Sequence, residues 1–109
     1  MNKILEKIVE ELDNKKAENI QLFDMSKKDY IVDSVIIATT LNPKHGASLV
    51  DHLKKELKSL DESILDIEES DDWSIIDLGD TLIHLMSPEY RAKYNLEEFL
   101  SERENRINY

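Results

Sequence analysis

Two aspartates, Asp77 and Asp80, flank the dipeptide Leu78-Gly79 between two apolar runs of the chain. If this dipeptide forms a two-residue hairpin loop, the two carboxylates face each other, and like charges across a strand pair are mildly unfavourable. Such a pair would favour a metal ion or a cationic side chain from a partner. Two carboxylates are an incomplete metal site, however, and aspartates at turns commonly accept local backbone hydrogen bonds instead.

The three histidines, His45, His52 and His84, are the other candidates for chemistry. His45 and His52 lie two helical turns apart, about 10 Å, which is too far for one ion to bridge unaided. The sequence contains no glycine-rich phosphate loop, Gly-x-Ser-x-Gly elbow or His-Glu-x-x-His motif, and no cysteine. We therefore predict a protein that is not an enzyme and holds no metal or cofactor.

Two β-favouring runs must position the aspartates, and together they span Trp73 to Met86. Gly79 adopts a positive φ without strain, so we predict a β-hairpin with Leu78 and Gly79 as its loop. Trp73 then faces His84 across the strand pair. Because side chains alternate between the faces of a sheet, one face carries Trp73, Ile75, Leu82, His84 and Met86, and the other carries Ser74, Ile76, Thr81, Ile83 and Leu85.

The two faces of this hairpin differ in character. The second is mostly aliphatic and is predicted to be the core side of the sheet. The first combines the only tryptophan of the chain with a histidine and a methionine, a composition that is common at protein-binding surfaces. The alternative is that helices cover both faces and that Trp73 belongs to the core.

The chain has 109 residues, of which 24 are acidic and 14 basic, giving a formal net charge of −10. This length fits one domain with one core. The acidic surface repels phosphate backbones, which makes direct nucleic-acid binding unfavourable and a basic protein the expected partner. The alternative is that the acidity only maintains solubility. No signal peptide or membrane-spanning stretch is evident, so we expect a soluble, cytoplasmic protein.

The hydrophobic pattern predicts an α/β fold in which a small mixed sheet of about five strands is flanked by helices. In chain order we first expect a helix at 3–16 capped by Asn2, a strand at 19–24, a turn at 25–30 and a central strand at 32–40. A helix at 43–60 capped by Asn42, a strand at 64–67 and an acidic loop at 68–72 follow. After the hairpin we expect a short helix that starts at Ser87-Pro88 and a last helix from Leu96. We expect a single domain over 1–100 and a charged, frayed tail over 101–109.

Several motifs occur together along the chain. A tryptophan strand, an Asp-Leu-Gly-Asp turn, a strand containing a histidine and a Pro-Glu pair follow each other over 73–89, with Tyr-Asn-Leu-Glu at 94–97. Upstream lie Lys-Lys-Ala-Glu-Asn-Ile at 15–20 and Asp-Ser-Val-Ile-Ile-Ala-Thr at 33–39. In this order, over about residues 3 to 100, the sequence resembles the ribosomal silencing factor family RsfS, also called Iojap.

The resemblance implies a nucleotidyltransferase-like α/β fold without catalytic residues, a homodimer, and binding to the large ribosomal subunit. The family's partner there is large-subunit ribosomal protein fourteen, at a face that otherwise joins the small subunit. Occupying that face would block joining and repress translation, notably under nutrient limitation. The expected contact residues are Trp73, Asp77, Leu78, Gly79, Asp80, His84, Met86 and Pro88.

These residues divide by the role that we expect of each. Trp73, Leu78 and Met86 would supply apolar contact, and the two turn aspartates would bind cations of the partner. His84 and Pro88 would position the others, and His84 is the first candidate for a buried support. The sequence also departs from the family pattern, which has aromatic residues at the positions of Leu78 and Ser34 and frequently at that of Met86.

Two other functions remain open from the residues alone. A dimeric acidic adaptor for a different basic protein would need the same exposed groups. A nucleotidyltransferase that kept its activity would need a Gly-Ser helix start followed by a closely spaced Asp-x-Asp, and the sequence contains neither.

Overall fold

The computed structural model describes residues 3–27 and 30–106, which form four helices and five strands. In chain order these are α1 (Lys3–Asn14), β1 (Glu18–Asp24), β2 (Ser34–Thr39), α2 (Pro43–Ser59), β3 (Asp66–Glu68), β4 (Trp73–Asp77), β5 (Thr81–Met86), α3 (Pro88–Tyr94) and α4 (Leu96–Arg106). No helix among these residues is long and apolar enough to cross a membrane. The mixed α/β class predicted from the sequence is confirmed.

Local sequence signals begin two of the helices. The Asn42 side chain caps α2 by accepting a hydrogen bond from the backbone N–H of His45 at 2.8 Å, and Pro43 follows at the first helical position. Ser87 caps α3 in the same way through the N–H of Tyr90 at 3.2 Å. Both starts are as predicted, whereas the predicted cap Asn2 lies outside the described residues.

The strands form one mixed sheet in the order β1-β2-β5-β4-β3. Strand β2 runs parallel to β5, and the other neighbouring pairs are antiparallel. Every residue of β2 is buried, as predicted for a strand that is covered on both faces. The helix α2 therefore carries the chain from an inner strand, β2, to the short edge strand β3 on the far side of the hairpin.

Helices pack on both faces of the sheet and create two cores. Residues of α1 and α2 meet one face in a core that contains Leu5, Ile8, Leu12, Ala17, Ile36, Ala38, Leu49, Val50, Leu53, Leu57, Ile76, Ile83 and Leu85. Residues of α3 and α4 meet the other face in a smaller core of Met25, Val32, Val35, Ile37, Met86 and Leu100, flanked by Phe23, Tyr30, Trp73, Leu82, Tyr90 and Leu96. The hairpin face that carries Ile76, Ile83 and Leu85 is buried in the larger core, which confirms the prediction that it is the core side of the sheet.

A buried arginine joins the second helical layer to the sheet. Arg91 of α3 is only 8% exposed, and its Nη1 donates to the carbonyl of Asn19 at 2.6 Å and to Thr39 Oγ1 at 2.8 Å. Asn19 lies at a bulge of β1 with φ 49°, which leaves its carbonyl free of the strand ladder. Glu97 of α4 supplies the counter-charge at 3.3 Å from Arg91 Nε. This network fixes the position of α3 beside the hairpin.

Some predicted bounds differ from the structure. Strand β2 begins at Ser34 instead of residue 32, and β3 covers Asp66–Glu68 instead of 64–67. Helix α4 continues to Arg106, so the part of the predicted tail from 101 to 106 is helical. Residues 107–109 lie outside the described residues, and the division into a domain over 1–100 and a tail stays a prediction.

Candidate functional site

The hairpin of β4 and β5 closes one position later than predicted. Leu78 N donates to the carbonyl of Thr81 at 2.9 Å, which makes Gly79 and Asp80 the two loop residues. Gly79 has φ +95° at the first loop position, where the hairpin turns require a positive φ. The predicted loop would have placed Leu78 at that position, and a leucine with positive φ is strained.

The change of loop corrects the predicted pairs. Asp77 lies opposite Leu82 and does not face Asp80, while Trp73 lies opposite Met86 and does not face His84. The register moves by two positions, so every side chain keeps its predicted face. The two carboxylates therefore do not form the facing pair that the sequence suggested.

At the turn end of the hairpin, both aspartates accept hydrogen bonds from backbone N–H groups. Asp77 Oδ1 accepts a hydrogen bond from the N–H of Gly79 at 2.8 Å, and the Asp80 carbonyl accepts from the N–H groups of Asp33 and Ser34. Neither aspartate belongs to a group of three metal-ligating side chains within the described part of the chain. The local role, which the sequence left open beside the metal role, fits Asp77.

An exposed leucine adds apolar surface at the same turn. Leu65 is 67% exposed, and its Cδ1 lies 3.2 Å from the point where a Cβ on Gly79 would stand. Leu78 is half-buried and packs against the larger core. The turn end therefore presents Leu65, the edge of Leu78 and the exposed Asp80.

At the opposite end of the hairpin, Trp73 and His84 form a pair. The indole Nε1–H donates to His84 Nδ1 at 3.1 Å, and the two ring centroids are 5.8 Å apart. An indole is a donor only, so Nδ1 carries no proton in this arrangement. His84 is 7% exposed, and burial lowers its pKa to about 4. His84 is thus a neutral, buried support beneath a half-buried tryptophan.

Two tyrosines of α3 extend the aromatic surface from Trp73. The ring of Tyr90 meets the indole edge to face with centroids 6.3 Å apart, and the ring of Tyr94 lies 5.4 Å from it. Tyr94 is 50% exposed, and the Lys93 ammonium lies 5.4 Å from its ring centroid. We call the surface formed by Trp73, Tyr90 and Tyr94 the indole face.

An acidic groove lies against the indole face. It has a volume of about 390 Å³ and is lined by Glu68, Glu69, Ser70, Trp73, Ile75 and Tyr90. Ser70 holds the loop in place, since its hydroxyl donates to the carbonyl of Trp73 at 2.6 Å and accepts from its N–H at 3.1 Å. Two carboxylates thus lie beside aromatic rings, an arrangement that suits a cationic side chain of a protein partner.

The expected contact residues are not all available at the surface. Met86 is fully buried in the smaller core, because the covering helices α3 and α4 pack over its end of β5, so the prediction that it contacts a partner is wrong. Pro88, Gly79 and Asp80 are exposed, and Trp73 is half-buried. The alternative that helices cover both sheet faces is therefore true of Met86 and only partly true of Trp73.

The remaining predicted contacts separate into two groups. Trp73 and Pro88 lie at the indole face end. Asp77, the first of the turn residues, lies four residues of extended chain away from Trp73, or about 13 Å, and Leu78 to Asp80 follow it. The sequence did not predict Tyr90, Tyr94, Glu68 or Glu69 as site residues. The spacing of four between the tyrosines already placed both on one side of a helix, but their contact with Trp73 depends on how α3 packs.

The comparisons with known proteins agree with one another. A family model described as ribosomal silencing factor during starvation matches residues 1–108. The ribosomal silencing factor RsfS of Haemophilus influenzae is 31% identical over 97 residues, 87% of this chain and 95% of that protein. A crystal structure of a Chromobacterium violaceum protein is 28% identical with a TM-score of 0.86, covering 93% of this chain and 88% of that chain. A mouse protein named mitochondrial assembly of ribosomal large subunit protein 1 is 29% identical over 91% of this chain and 46% of its own length.

The fold and the hairpin define a small α/β domain that displays aromatic and acidic side chains on one layer. The chain belongs to the ribosomal silencing factor family RsfS, as the motifs of its sequence indicated. Membership implies ribosome-associated regulation of translation. The family is one of ribosomal silencing factors and is not known for enzymatic activity.

Proposed function

We propose that this protein binds the large ribosomal subunit through large-subunit ribosomal protein fourteen and sterically prevents the small subunit from joining. Translation is then repressed, notably when nutrients are limiting. The names of the family and its relatives support the ribosome as the place of action, since they describe silencing of ribosomes and assembly of the large subunit. We also propose that the protein acts in the cytoplasm, beside the ribosomes.

The observation that carries this proposal is the indole face with its acidic groove. A half-buried Trp73 beside a half-exposed Tyr94 provides the rigid aromatic contact area that is enriched at binding hot spots. Glu68 and Glu69 lie at the same groove, and the chain as a whole carries a net charge of −10. A ribosomal protein with a basic surface is electrostatically complementary to such a face.

We assign roles to the site residues on this basis. Trp73, Tyr94 and Pro88 make the apolar contact, and Glu68 and Glu69 bind cations of the partner. His84 acts from below, because it holds the indole through the hydrogen bond to Nδ1. The turn residues Asp77, Leu78, Gly79 and Asp80 provide a second contact region at the far end of the same hairpin.

Blocking a subunit interface requires occupation of a surface and no bond-breaking step. This fits a chain in which α2 starts with Pro-Lys-His-Gly instead of the Gly-Ser that a nucleotidyltransferase needs. A homodimer and the absence of direct nucleic-acid binding belong to the same proposal. An adaptor for another basic protein is the competing function, and it would use the same face on a different partner.

A binding experiment with purified large subunits tests the proposal. We expect Trp73→Ala and Tyr94→Ala each to weaken binding by about 30-fold, which corresponds to about 2 kcal/mol for a hot-spot residue. Leu60→Ala is the matched control, because Leu60 is 40% exposed and ends the helix α2 that covers the opposite face of the sheet. Its binding should equal that of the parent protein.

Thermal melting of the same variants separates contact from core. Loss of a fully buried aromatic side chain costs about 3–5 kcal/mol of stability, so a Tyr94 variant that melts like the parent but binds poorly supports a contact role. Binding of the parent to the isolated partner, large-subunit ribosomal protein fourteen, distinguishes the proposal from the adaptor function. If the parent binds neither the large subunit nor isolated large-subunit ribosomal protein fourteen, the proposed function is contradicted.

A further inference from the structure

A second cluster of polar side chains lies between α1 and α2, on the face of the sheet opposite to the indole face. Glu11 of α1 is 7% exposed, and His52 and Glu56 of α2 are one helical turn apart. His52 Nε2 is 2.5 Å from Glu11 Oε1 and 3.9 Å from Glu56 Oε1. One ligand atom of each of the three side chains lies within 4.8 Å of the other two.

The three histidines of the chain differ in their free coordination atoms. His45 accepts from the N–H of Leu41 at Nδ1 and contacts the carbonyl of Lys15 through Nε2, so the backbone occupies both nitrogens. His84 is buried and accepts the indole N–H. Only His52 directs a ring nitrogen at two carboxylates, and it is partly open to solvent.

We propose that Glu11, His52 and Glu56 form a binding site for a divalent transition-metal ion, with Zn²⁺ as the first choice. One imidazole nitrogen and two carboxylate oxygens form a mixed donor set that suits zinc, whereas Ca²⁺ and Mg²⁺ are held by oxygen ligands. Three protein ligands leave a fourth position for water. The ion would replace the proton that joins His52 Nε2 to Glu11, and it would tie α1 to α2.

The geometry needs only small side-chain movements. Ligand atoms of a tetrahedral zinc ion at bond lengths of about 2.1 Å are roughly 3.4 Å apart. The 2.5 Å pair must therefore open and the 3.9 Å pair must close, each by less than the length of a bond. The ligand atoms of Glu11 and Glu56 lie within 4.8 Å of each other, so they need to approach by at most about 1.4 Å. Side-chain exposures of 22% for His52 and 31% for Glu56 leave an entry path for the ion.

One lysine competes with the metal ion for the same carboxylate. Lys7 Nζ lies 3.1 Å from Glu11 Oε2, and its side chain is 36% exposed. Its ammonium already neutralises part of the negative charge that a metal ion would need. Removal of this competitor should therefore tighten zinc binding, and Lys7→Met should bind zinc more tightly than the parent.

Calorimetric titration of the untagged chain with ZnCl₂ tests the site. We expect one zinc ion per chain and a melting temperature that rises with zinc. His52→Gln and Glu56→Gln should each weaken binding at least about tenfold. Glu10→Gln is the matched control. Glu10 lies beside Glu11 on α1 and contacts Lys7, but its side chain is 63% exposed and is not one of the three proposed ligands. The affinity of this variant for zinc should equal that of the parent.

Glu56 lies at the rim of the cluster, so Glu56→Gln keeps the test decisive if His52→Gln does not fold. Circular dichroism of each variant identifies unfolded protein. No saturable binding of zinc to the parent, or equal binding by the parent and Glu56→Gln, overturns the proposal and leaves the cluster as an interhelical ion-pair network. Because the site lies on the face opposite to Trp73, zinc should not change binding to the large subunit.

Discussion

His84 shows how one buried residue supports an exposed one. Its unprotonated Nδ1 accepts the indole N–H of Trp73, and burial keeps its pKa near 4. The unfolded imidazole protonates near pH 6.5. Between these values the unfolded state binds more protons than the folded state, so the free energy of unfolding falls as the pH falls.

We therefore predict that His84 alone lowers the free energy of unfolding by about 2 kcal/mol between pH 7 and pH 4.5. Urea unfolding followed by the fluorescence of Trp73, the single tryptophan, measures it. His84→Gln keeps an acceptor for the indole and does not titrate, so its stability should fall less over the same range. Equal pH dependence of the two proteins would contradict the assignment.

At the scale of single residues, the sequence predicts which side chains are important better than it predicts how exposed they are. Trp73 and His84 were recognisable as an unusual pair on one face, and His84 as a candidate support. The burial of Met86 was not predictable, because it depends on α3 and α4 packing over the end of β5. The contact between Trp73 and Tyr94 has the same origin in tertiary packing.

The turn of the hairpin carries a prediction at the scale of the element. Gly79 has φ +95°, and an added Cβ would lie 3.2 Å from Leu65 Cδ1. We expect Gly79→Ala to lower the free energy of unfolding by about 1–2 kcal/mol. Equilibrium unfolding in urea measures this loss.

Gly46 provides the control for that experiment. It lies in the first turns of α2 without positive φ, and an added Cβ would meet Thr40 Cγ2 at 3.5 Å, an ordinary contact. Gly46→Ala should leave stability unchanged or raise it by about 0.5–1 kcal/mol, since alanine favours helix. A Gly79 variant as stable as the Gly46 variant would show that the turn tolerates a side chain, against the observed backbone.

Elements with local signals were the ones that the sequence predicted well. The caps Asn42 and Ser87, each followed by proline, determined where α2 and α3 begin. The predicted register of the hairpin is wrong by two positions, because the glycine and aspartate content of a turn does not decide which two residues form the loop. The positive φ at the first loop position decides it, and Gly79 adopts that φ more easily than Leu78. The short edge strand β3 shifted because three residues carry little periodic signal.

The charge of the whole molecule predicts the salt dependence of its binding. A net charge of −10 attracts a basic partner. Dissolved salt screens this attraction and shortens its range. We expect the association rate with the large subunit to be about tenfold lower at physiological salt concentration than at low salt concentration. Stopped-flow or biosensor measurements at several salt concentrations check this, and a rate that does not depend on salt would exclude electrostatic attraction as the cause.

The class of the whole fold was predictable, but its connectivity was not. Alternating strand and helix patterns gave a five-stranded mixed sheet with helices on its faces. The parallel pairing of β2 with β5, and the link from Arg91 to β1 and β2, join residues far apart in sequence. Such pairs leave no periodic trace in a single sequence.

The central claim is that the bound protein keeps the ribosomal subunits apart. Its most direct test adds the purified chain to separated small and large subunits and follows their joining by sedimentation. We predict that joined ribosomes disappear as the chain saturates the large subunit, and that Trp73→Ala needs a concentration about 30 times higher for the same effect. Undiminished joining at concentrations of the parent chain well above those of the subunits would contradict the account.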